Sequence, residues 1–388
     1  MSSSAPSDRY PHRRRAHPPR GPDPGADPLA QLGWDADWEA AARRAVAADS
    51  DQSVDRPTHP ARPVDLVPGR VIRADRGRAL VQTRSGLVHA AVTDPDPGAG
   101  DWTTGDWTTG DWVLLAGPEV RAVLARRTAV VRGAGRRDAR AQLLAANVDV
   151  VLVVVELATG PNLARLDRLL TVALDSGAQP VVVLTKADLA PDADSERDEV
   201  AEAAPGVPVL LTSVLDGRGL DELRGRLGPG RTVALLGASG VGKSSLVNAL
   251  AGAELMPVGR LRVDGRGRHV TTARELVVLP GLGVLVDTPG LRGVQLWKSA
   301  VGLERTFADV EALAARCRFA DCQHGAEPGC AVTAAVADGR LSARRLASYA
   351  QLQREMAWLQ ARYDARLRAE QRRRWKTLAR SARERRRR

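Results

Sequence analysis

Residues 237–244 read GASGVGKS, and no other stretch restricts the fold of this 388-residue chain as tightly. An apolar run, 233–236, precedes it and an amphipathic helical pattern, 245–250, follows. A G-x-x-x-x-G-K-[ST] segment between a strand and a helix is a phosphate-binding loop. Its backbone, formed by Gly237, Ala238, Ser239, Gly240, Val241 and Gly242, wraps closely around a polyphosphate. Successive N–H groups and the helix N-terminus supply fixed positive charge, to which Lys243 adds a full one. Ser244 offers its hydroxyl to Mg²⁺, and Ser245 extends the nucleotide-binding set. The loop implies a nucleoside triphosphate without naming the base.

The flanking pattern names it. Strands are expected at 148–155, 180–184 and 207–211, with a helix over 163–176. Pro208 puts the third strand at an edge or begins it. Alternating strands and helices imply a mainly parallel sheet. Thr185, Lys186, Ala187 and Asp188 follow the second strand as TKAD, a variant of the guanine motif NKxD. The two carboxylate oxygens of Asp188 suit the N1 and 2-amino donors of guanine. Thr185 in place of Asn removes an amide that ties this loop to the phosphate loop, so a weaker tie is expected. Ser213, after the next strand, fits the supporting base-binding loop.

Downstream, a strand at 284–286 ends in Asp287, followed by Thr288, Pro289 and Gly290. In this D-x-x-G element Asp287 would hold Mg²⁺ through water and the Gly290 N–H would sense the γ-phosphate. Between the two lies GRGRHVTTAR, where Thr271 or Thr272 would close over Mg²⁺ as the switch threonine. Leu291 stands where many GTPases carry a water-orienting Gln. His269 is the candidate to position the attacking water; contact with RNA or capping of its own loop are the other roles open to it. Gly240 replaces an Asn that binds activating K⁺ in some GTPases, which puts K⁺ activation in doubt. The guanine motifs precede the phosphate loop, the reverse of the ordinary order, so the domain is circularly permuted.

All three cysteines lie in one window, Cys317, Cys322 and Cys330, with His324 among them. The spacing C-x₄-C-x-H-x₅-C offers a tetrahedral Cys₃His set for one structural Zn²⁺ with no open catalytic position. Helices are expected around it, with Leu346, Tyr349, Leu352, Met356, Leu359 and Tyr363 on one apolar face.

The remaining segments carry charge and short strands. The net charge of +11 favours a polyanionic partner. No apolar run is long enough to span a membrane, and no secretory h-region follows the N-terminal arginines. A cytoplasmic protein without a membrane role is expected. Residues 1–60 are rich in Pro, Arg, Ser and Asp and read as a mostly disordered arm, with a short helix possible over 28–47 through Leu29, Leu32, Trp34 and Trp38. Five short alternating runs from Val64 suggest a small antiparallel barrel, the OB-fold. Arg70, Arg73, Arg76, Arg78, Arg84, Arg121, Arg126 and Arg127 would form either an RNA-binding face or a plain solvated surface. GDWTT occurs twice, from Gly100 and Gly105, and a third GDW begins a strand at Gly110; the extra copies read as loop expansion. The terminal RRRWKTLARSARERRRR has the footprint of an RNA-binding tail.

Taken with NVDVVLVV, NLARLDR, GASGVGKSSLVNAL, DTPGLR and CRFADCQHGAEPGCAV, the chain resembles the small ribosomal subunit-dependent GTPase A family (RsgA/YjeQ type) over about residues 64–365. The resemblance implies a multidomain α/β protein: an N-terminal β-barrel (OB-fold), a circularly permuted P-loop GTPase domain and a C-terminal helical zinc-binding domain. The corresponding segments are an arm at 1–60, then 64–132, 141–298, 299–365 and an Arg-rich tail at 366–388. It also implies GTP hydrolysis to GDP, binding to the small ribosomal subunit and its 16S rRNA during late maturation, and release of the factor on hydrolysis, as a monomer. Val270, where the family has the first Thr of a Thr run, leaves Thr271 or Thr272 as the switch threonine. SV replaces SA in the base loop, and the GDWTT expansion and long arm depart from typical members. A second reading is a nucleotide-gated RNA checkpoint in which hydrolysis is incidental, motivated by Leu291. A role on the large subunit is disfavoured by the barrel-plus-zinc arrangement.

Overall fold

The computed structural model describes residues 27–53, 65–75, 78–91, 107–132, 142–256, 274–287, 300–325 and 327–361. Its first described elements bear out the helix expected within 28–47, as two helices rather than one. Asp27 caps a one-turn helix, α1 (Pro28–Gln31), by accepting from the Leu29 N–H at 2.9 Å, and α2 (Ala36–Ser53) follows. Leu29, Leu32, Trp34 and Trp38 are buried. The two indoles lie 4.9 and 5.9 Å from Trp112, centroid to centroid. A few large apolar side chains suffice to dock a short helix when another surface covers them. Residues 1–26 and 54–64, the rest of the expected arm, lie outside the described residues.

Five strands then close a barrel: β1 (Val67–Asp75), β2 (Arg78–Thr83), β3 (Gly86–Ala91), β4 (Trp112–Ala116) and β5 (Glu119–Val123). β1 pairs antiparallel with both β2 and β4, while β3 meets β5. Val71, Val81, Ala90, Val113 and Leu115 fill the interior. The expected fifth run splits in two. Its second part, β6 (Ala129–Arg132), leaves the barrel to pair with β7 (Gln142–Ala146), a strand the sequence pattern did not announce. The third GDW leads into β4 as expected, whereas residues 100–106 of the repeat lie outside the described residues.

The nucleotide-domain sheet follows from β8 (Val150–Glu156), β9 (Gln179–Thr185), β10 (Val209–Leu211), β11 (Thr232–Leu236), β12 (Arg274–Leu279) and β13 (Gly283–Asp287), in the order β10-β9-β8-β11-β13-β12. All but β12 are parallel to their neighbours. β8 is almost wholly Val and Leu because both its faces are covered. Val151 and Val153 pack with Leu166 and Leu170 of α3 (Leu163–Asp175). Val150, Leu152 and Val154 pack with α5 (Leu220–Arg226) and α6 (Lys243–Ala251) on the other face; α4 (Ala193–Ala203) lies between β9 and β10 in the chain. Pro208 precedes the edge strand, as its chemistry required. β12 also pairs with β1, Arg73 opposite Glu275 and Ala74 opposite Arg274, so barrel and nucleotide domain share one eleven-stranded sheet.

Two buried arginines lock the parts together. Arg70 was expected on a basic face, but it is only 1% exposed. Its guanidinium donates to the carbonyls of Leu32, Gly110 and Asn147 and to the Thr232 hydroxyl, the last at 2.7 Å. It therefore joins the N-terminal helices, the barrel and the foot of β11. Burial pulls it down to about 10, opposed by Asp149 and Asp111. The rest of the expected basic face is largely neutralised. Arg126 pairs with Asp111, Arg127 with Asp35, Arg84 with Asp27, Arg73 with Asp75 and Arg121 with Glu119; Arg76 lies outside the described residues.

The described residues from 300 onward form four helices joined by turns and the cysteine-bearing loop, α7 (Ala300–Thr306), α8 (Ala308–Ala314), α9 (Ala331–Ala337) and α10 (343–361). Tyr349, Leu352 and Met356 of the expected α10 face are buried, Leu346 and Leu359 are half-buried, and Tyr363 lies outside the described residues. Arg345 is the second lock. It donates to the carbonyls of Ala203 and Thr306 and to the Asp309 carboxylate, with Asp167 of α3 3.5 Å away.

Candidate functional site

The phosphate loop leaves the C-terminal end of β11 and runs into α6. Gly240 and Gly242 hold φ of 85° and 96°, left-handed values that any Cβ would strain. At Gly237 the reason is space, since a Cβ would stand 2.5 Å from the Val154 carbonyl. The loop therefore lies hard against β8. Ser239 and Gly240 are exposed, and Ser244 and Ser245 are half-buried at the start of α6. Lys243 folds back over the loop, its ammonium donating to the carbonyls of Gly237, at 2.9 Å, and Ala238. A polyphosphate entering the loop would exchange those carbonyls for anionic oxygens.

The guanine loop leaves β9, with β8 between it and the phosphate loop. Here the threonine hydroxyl itself ties this loop to the phosphate loop. The Thr185 hydroxyl is 2.6 Å from the Val241 carbonyl and 3.3 Å from that of Val155. Its one proton goes to the nearer oxygen, so a single hydroxyl hydrogen bond links the two loops where the NKxD motif has an amide. Lys186 takes a left-handed backbone, φ 59°, and its ammonium donates to the carboxylate of Glu156. Asp188 is exposed on a single 3₁₀ turn. The Ala187 N–H donates to the Thr212 carbonyl at 3.2 Å, which joins this loop to the one carrying Ser213. Ser213 is buried; its N–H donates to the Arg218 carbonyl and its hydroxyl accepts from Leu215 and Asp216 N–H groups. Its own atoms shape the turn.

Asp287 ends β13 with its backbone in register with Glu275. His269, Thr271, Thr272, Gly290 and Leu291 lie outside the described residues. The described motifs nonetheless share one edge of the sheet, the C-terminal ends of parallel strands on either side of β8, where such sheets bind ligands.

Cys317, Cys322, His324 and Cys330 converge with their ligand atoms all within 4.8 Å of one another. The Cys317 and Cys330 sulfurs are 3.8 Å apart and lie 3.7 and 3.6 Å from His324 Nδ1. A tetrahedron with zinc–sulfur bonds of about 2.3 Å has edges of about 3.8 Å. The donor set and its spacing thus fit a metal. Burial pushes the Cys330 thiol up, but Thr333 and His324 outweigh it and bring it to about 6. Cys322 is lowered by the His324 backbone yet driven to about 11 by burial and the two neighbouring thiols.

The residues the sequence pattern missed are Glu156, Arg70 as a lock, and Arg345. Only Glu156 carried a local signal, a carboxylate closing a strand of Val and Leu.

A family described as RsgA GTPase matches residues 123–297. The small ribosomal subunit biogenesis GTPase RsgA of Streptomyces avermitilis is 50% identical over 360 residues, covering 90% of this chain and 91% of its own. The chain belongs to the RsgA GTPase family. Another RsgA relative, from Streptomyces coelicolor, is 46% identical over 359 residues, with 90% and 92% covered. Among solved structures, YjeQ from Thermotoga maritima superposes with a TM-score of 0.56 at 24% identity, covering 75% of this chain and 99% of that one. YloQ, described as a circularly permuted GTPase, gives 0.55 at 23%, covering 78% and 97%. These two carry the RsgA-type fold at identities too low to speak for individual residues. No helix among the described residues is long and apolar enough to cross a membrane.

Proposed function

We propose that this chain is a GTPase of small ribosomal subunit biogenesis, which binds the subunit and its 16S rRNA and leaves on hydrolysing GTP to GDP and phosphate. The observation that carries it is the hydrogen bond from Thr185 to Val241, which joins a guanine loop to a phosphate loop in one cleft. The RsgA names of relatives at up to 50% identity support the assignment to small-subunit biogenesis. In this reading 27–53 clamps the barrel, 64–132 and the zinc segment at 299–365 grip RNA, and 141–298 is the switch. The factor works as a cytoplasmic monomer.

Asp188 selects guanine over adenine, because its two carboxylate oxygens can accept only from a base that offers two donors. The N–H groups of 237–242 and the α6 N-terminus hold the β- and γ-phosphates, and Lys243 moves from its carbonyls onto them. Ser244, Asp287 and Thr271 or Thr272 would hold Mg²⁺, which neutralises charge developing on the phosphoryl oxygens. Gly290 senses the γ-phosphate and His269 orients the attacking water. Cys317, Cys322, His324 and Cys330 would hold one Zn²⁺ as a structural cross-link.

The test is GTP turnover with purified small and large subunits, for the parent chain and for Lys243→Ala. Stimulation by small subunits alone, abolished by Lys243→Ala, is expected. A rate indifferent to subunits at every salt concentration would refute subunit dependence.

A further inference from the structure

β8 ends in three residues that each touch a nucleotide loop. The Val154 carbonyl faces Gly237 of the phosphate loop, the Val155 carbonyl faces the Thr185 hydroxyl, and the Glu156 carboxylate pairs with Lys186. Glu156 stands in register with Thr185, on the strand between β9 and β11, and its carboxylate reaches the residue after Thr185. The ion pair is largely covered, the side chains of Lys186 and Glu156 being 35% and 28% exposed. Lys186 also occupies the left-handed region that non-glycine residues avoid. A residue held there needs its surroundings to fix it, and Glu156 supplies that hold from the neighbouring strand.

We propose that Glu156 is a positioning residue for guanine nucleotides, anchoring Lys186 so that loop 185–188 presents Asp188 in one conformation. This rests on reading 185–188 as the guanine loop. The base is the same in GTP and GDP, and the γ-phosphate lies at the other end of the cleft. Loss of the anchor therefore weakens both nucleotides alike, and the effect falls on binding rather than on the chemical step. An exposed ion pair contributes little by itself; this one acts by ordering a loop, so its effect is read in affinity.

The experiment measures GDP and GTP dissociation constants with fluorescent nucleotides, together with KM and kcat, on the full chain. Glu156→Ala is expected to raise both dissociation constants and KM about tenfold, with kcat moving less than about twofold. Glu156→Asp restores most of the affinity. The double variant Glu156→Ala/Lys186→Ala binds no worse than Lys186→Ala alone, because the two residues act through one contact. Affinities within about twofold of the parent for Glu156→Ala, or fully additive effects in the double variant, would overturn the inference. A parallel Asp188→Asn variant tests the loop reading itself, since an amide donor suits the 2-oxo group of xanthine. Guanine preference surviving Asp188→Asn overturns the loop reading, and the inference with it; parity of Glu156→Ala overturns the inference alone.

Discussion

The Thr185 hydroxyl donates to the Val241 carbonyl across 2.6 Å, from the end of β9 to the phosphate loop. Thr185 is buried, so the bond is shielded from water. Replacement by Val keeps the shape, deletes the donor and strands the Val241 carbonyl. The expected penalty is about 1.4 kcal/mol, a tenfold loss of GDP affinity measurable by isothermal titration. Thr185→Ser retains the hydroxyl and most of the affinity.

Arg70 serves three carbonyls and one hydroxyl drawn from three parts of the chain. Arg70→Met takes this donor from the Leu32 and Asn147 carbonyls and the Thr232 hydroxyl, while the Gly110 carbonyl keeps the Asn147 side-chain N–H, at a cost of about 3 kcal/mol. Arg70→Lys does little better, because one ammonium cannot reproduce the planar fork. Thermal unfolding followed by circular dichroism should show both variants melting well below the parent.

The N-terminal helices dock through carboxylates that their partners hold down. Asp35 is lowered chiefly by hydrogen bonds from Arg127. Glu39 is lowered first by the Trp34 indole N–H. In Asp27 burial works upward, but the Leu29 N–H and Arg84 outweigh it. Acids with depressed folded values stabilise the docked state above their unfolded values, and the contribution disappears as pH falls through the folded ones. Docking should therefore be complete at neutral pH and loosen below about pH 4. Fluorescence of Trp34 and Trp38, compared between the parent and Asp35→Asn, follows the change; Asp35→Asn should loosen already at neutral pH and lose part of the acid dependence.

Gly302 of α7 passes so close to α3 that a Cβ would stand 2.3 Å from the Thr171 carbonyl and 2.7 Å from Asp175 Cβ. This contact fixes the first described helix that follows Asp287 in the chain. Gly302→Val should cost about 1–3 kcal/mol by overpacking, and limited proteolysis should cut the segment near residue 300 faster than in the parent.

The Cys₃His cluster should bind one zinc per chain, measured by atomic absorption. Cys322→Ser or a strong chelator should remove the metal and make residues 317–330 protease-sensitive, because metal binding at such a site is folding energy. Acidification should release zinc, since protons compete for the thiolates and the imidazole. Zinc that stays bound to Cys322→Ser with parent affinity would count against this ligand set.

The sequence by itself determined the chemistry that lies in consecutive residues. A phosphate-loop pattern needs glycines at fixed steps before Lys243 and Ser244, and the Cys₃His set falls within fourteen positions, so both are legible from spacing. The order of the motifs along the chain likewise determined the permuted sheet, because each strand carries its own loop at its C-terminal end. Tertiary structure decided what joins distant segments. Arg70 meets a hydroxyl 162 positions away, and Thr185 meets a carbonyl 56 positions away. Neither partner leaves a mark in the local pattern, since a backbone carbonyl belongs to every residue. The same holds for residues 27–53, where the apolar stripe of a short helix was legible but Trp112 as the surface that receives Trp34 and Trp38 was not. Burial is a property of the folded surface, and a short apolar stripe becomes a helix only when that surface exists to receive it.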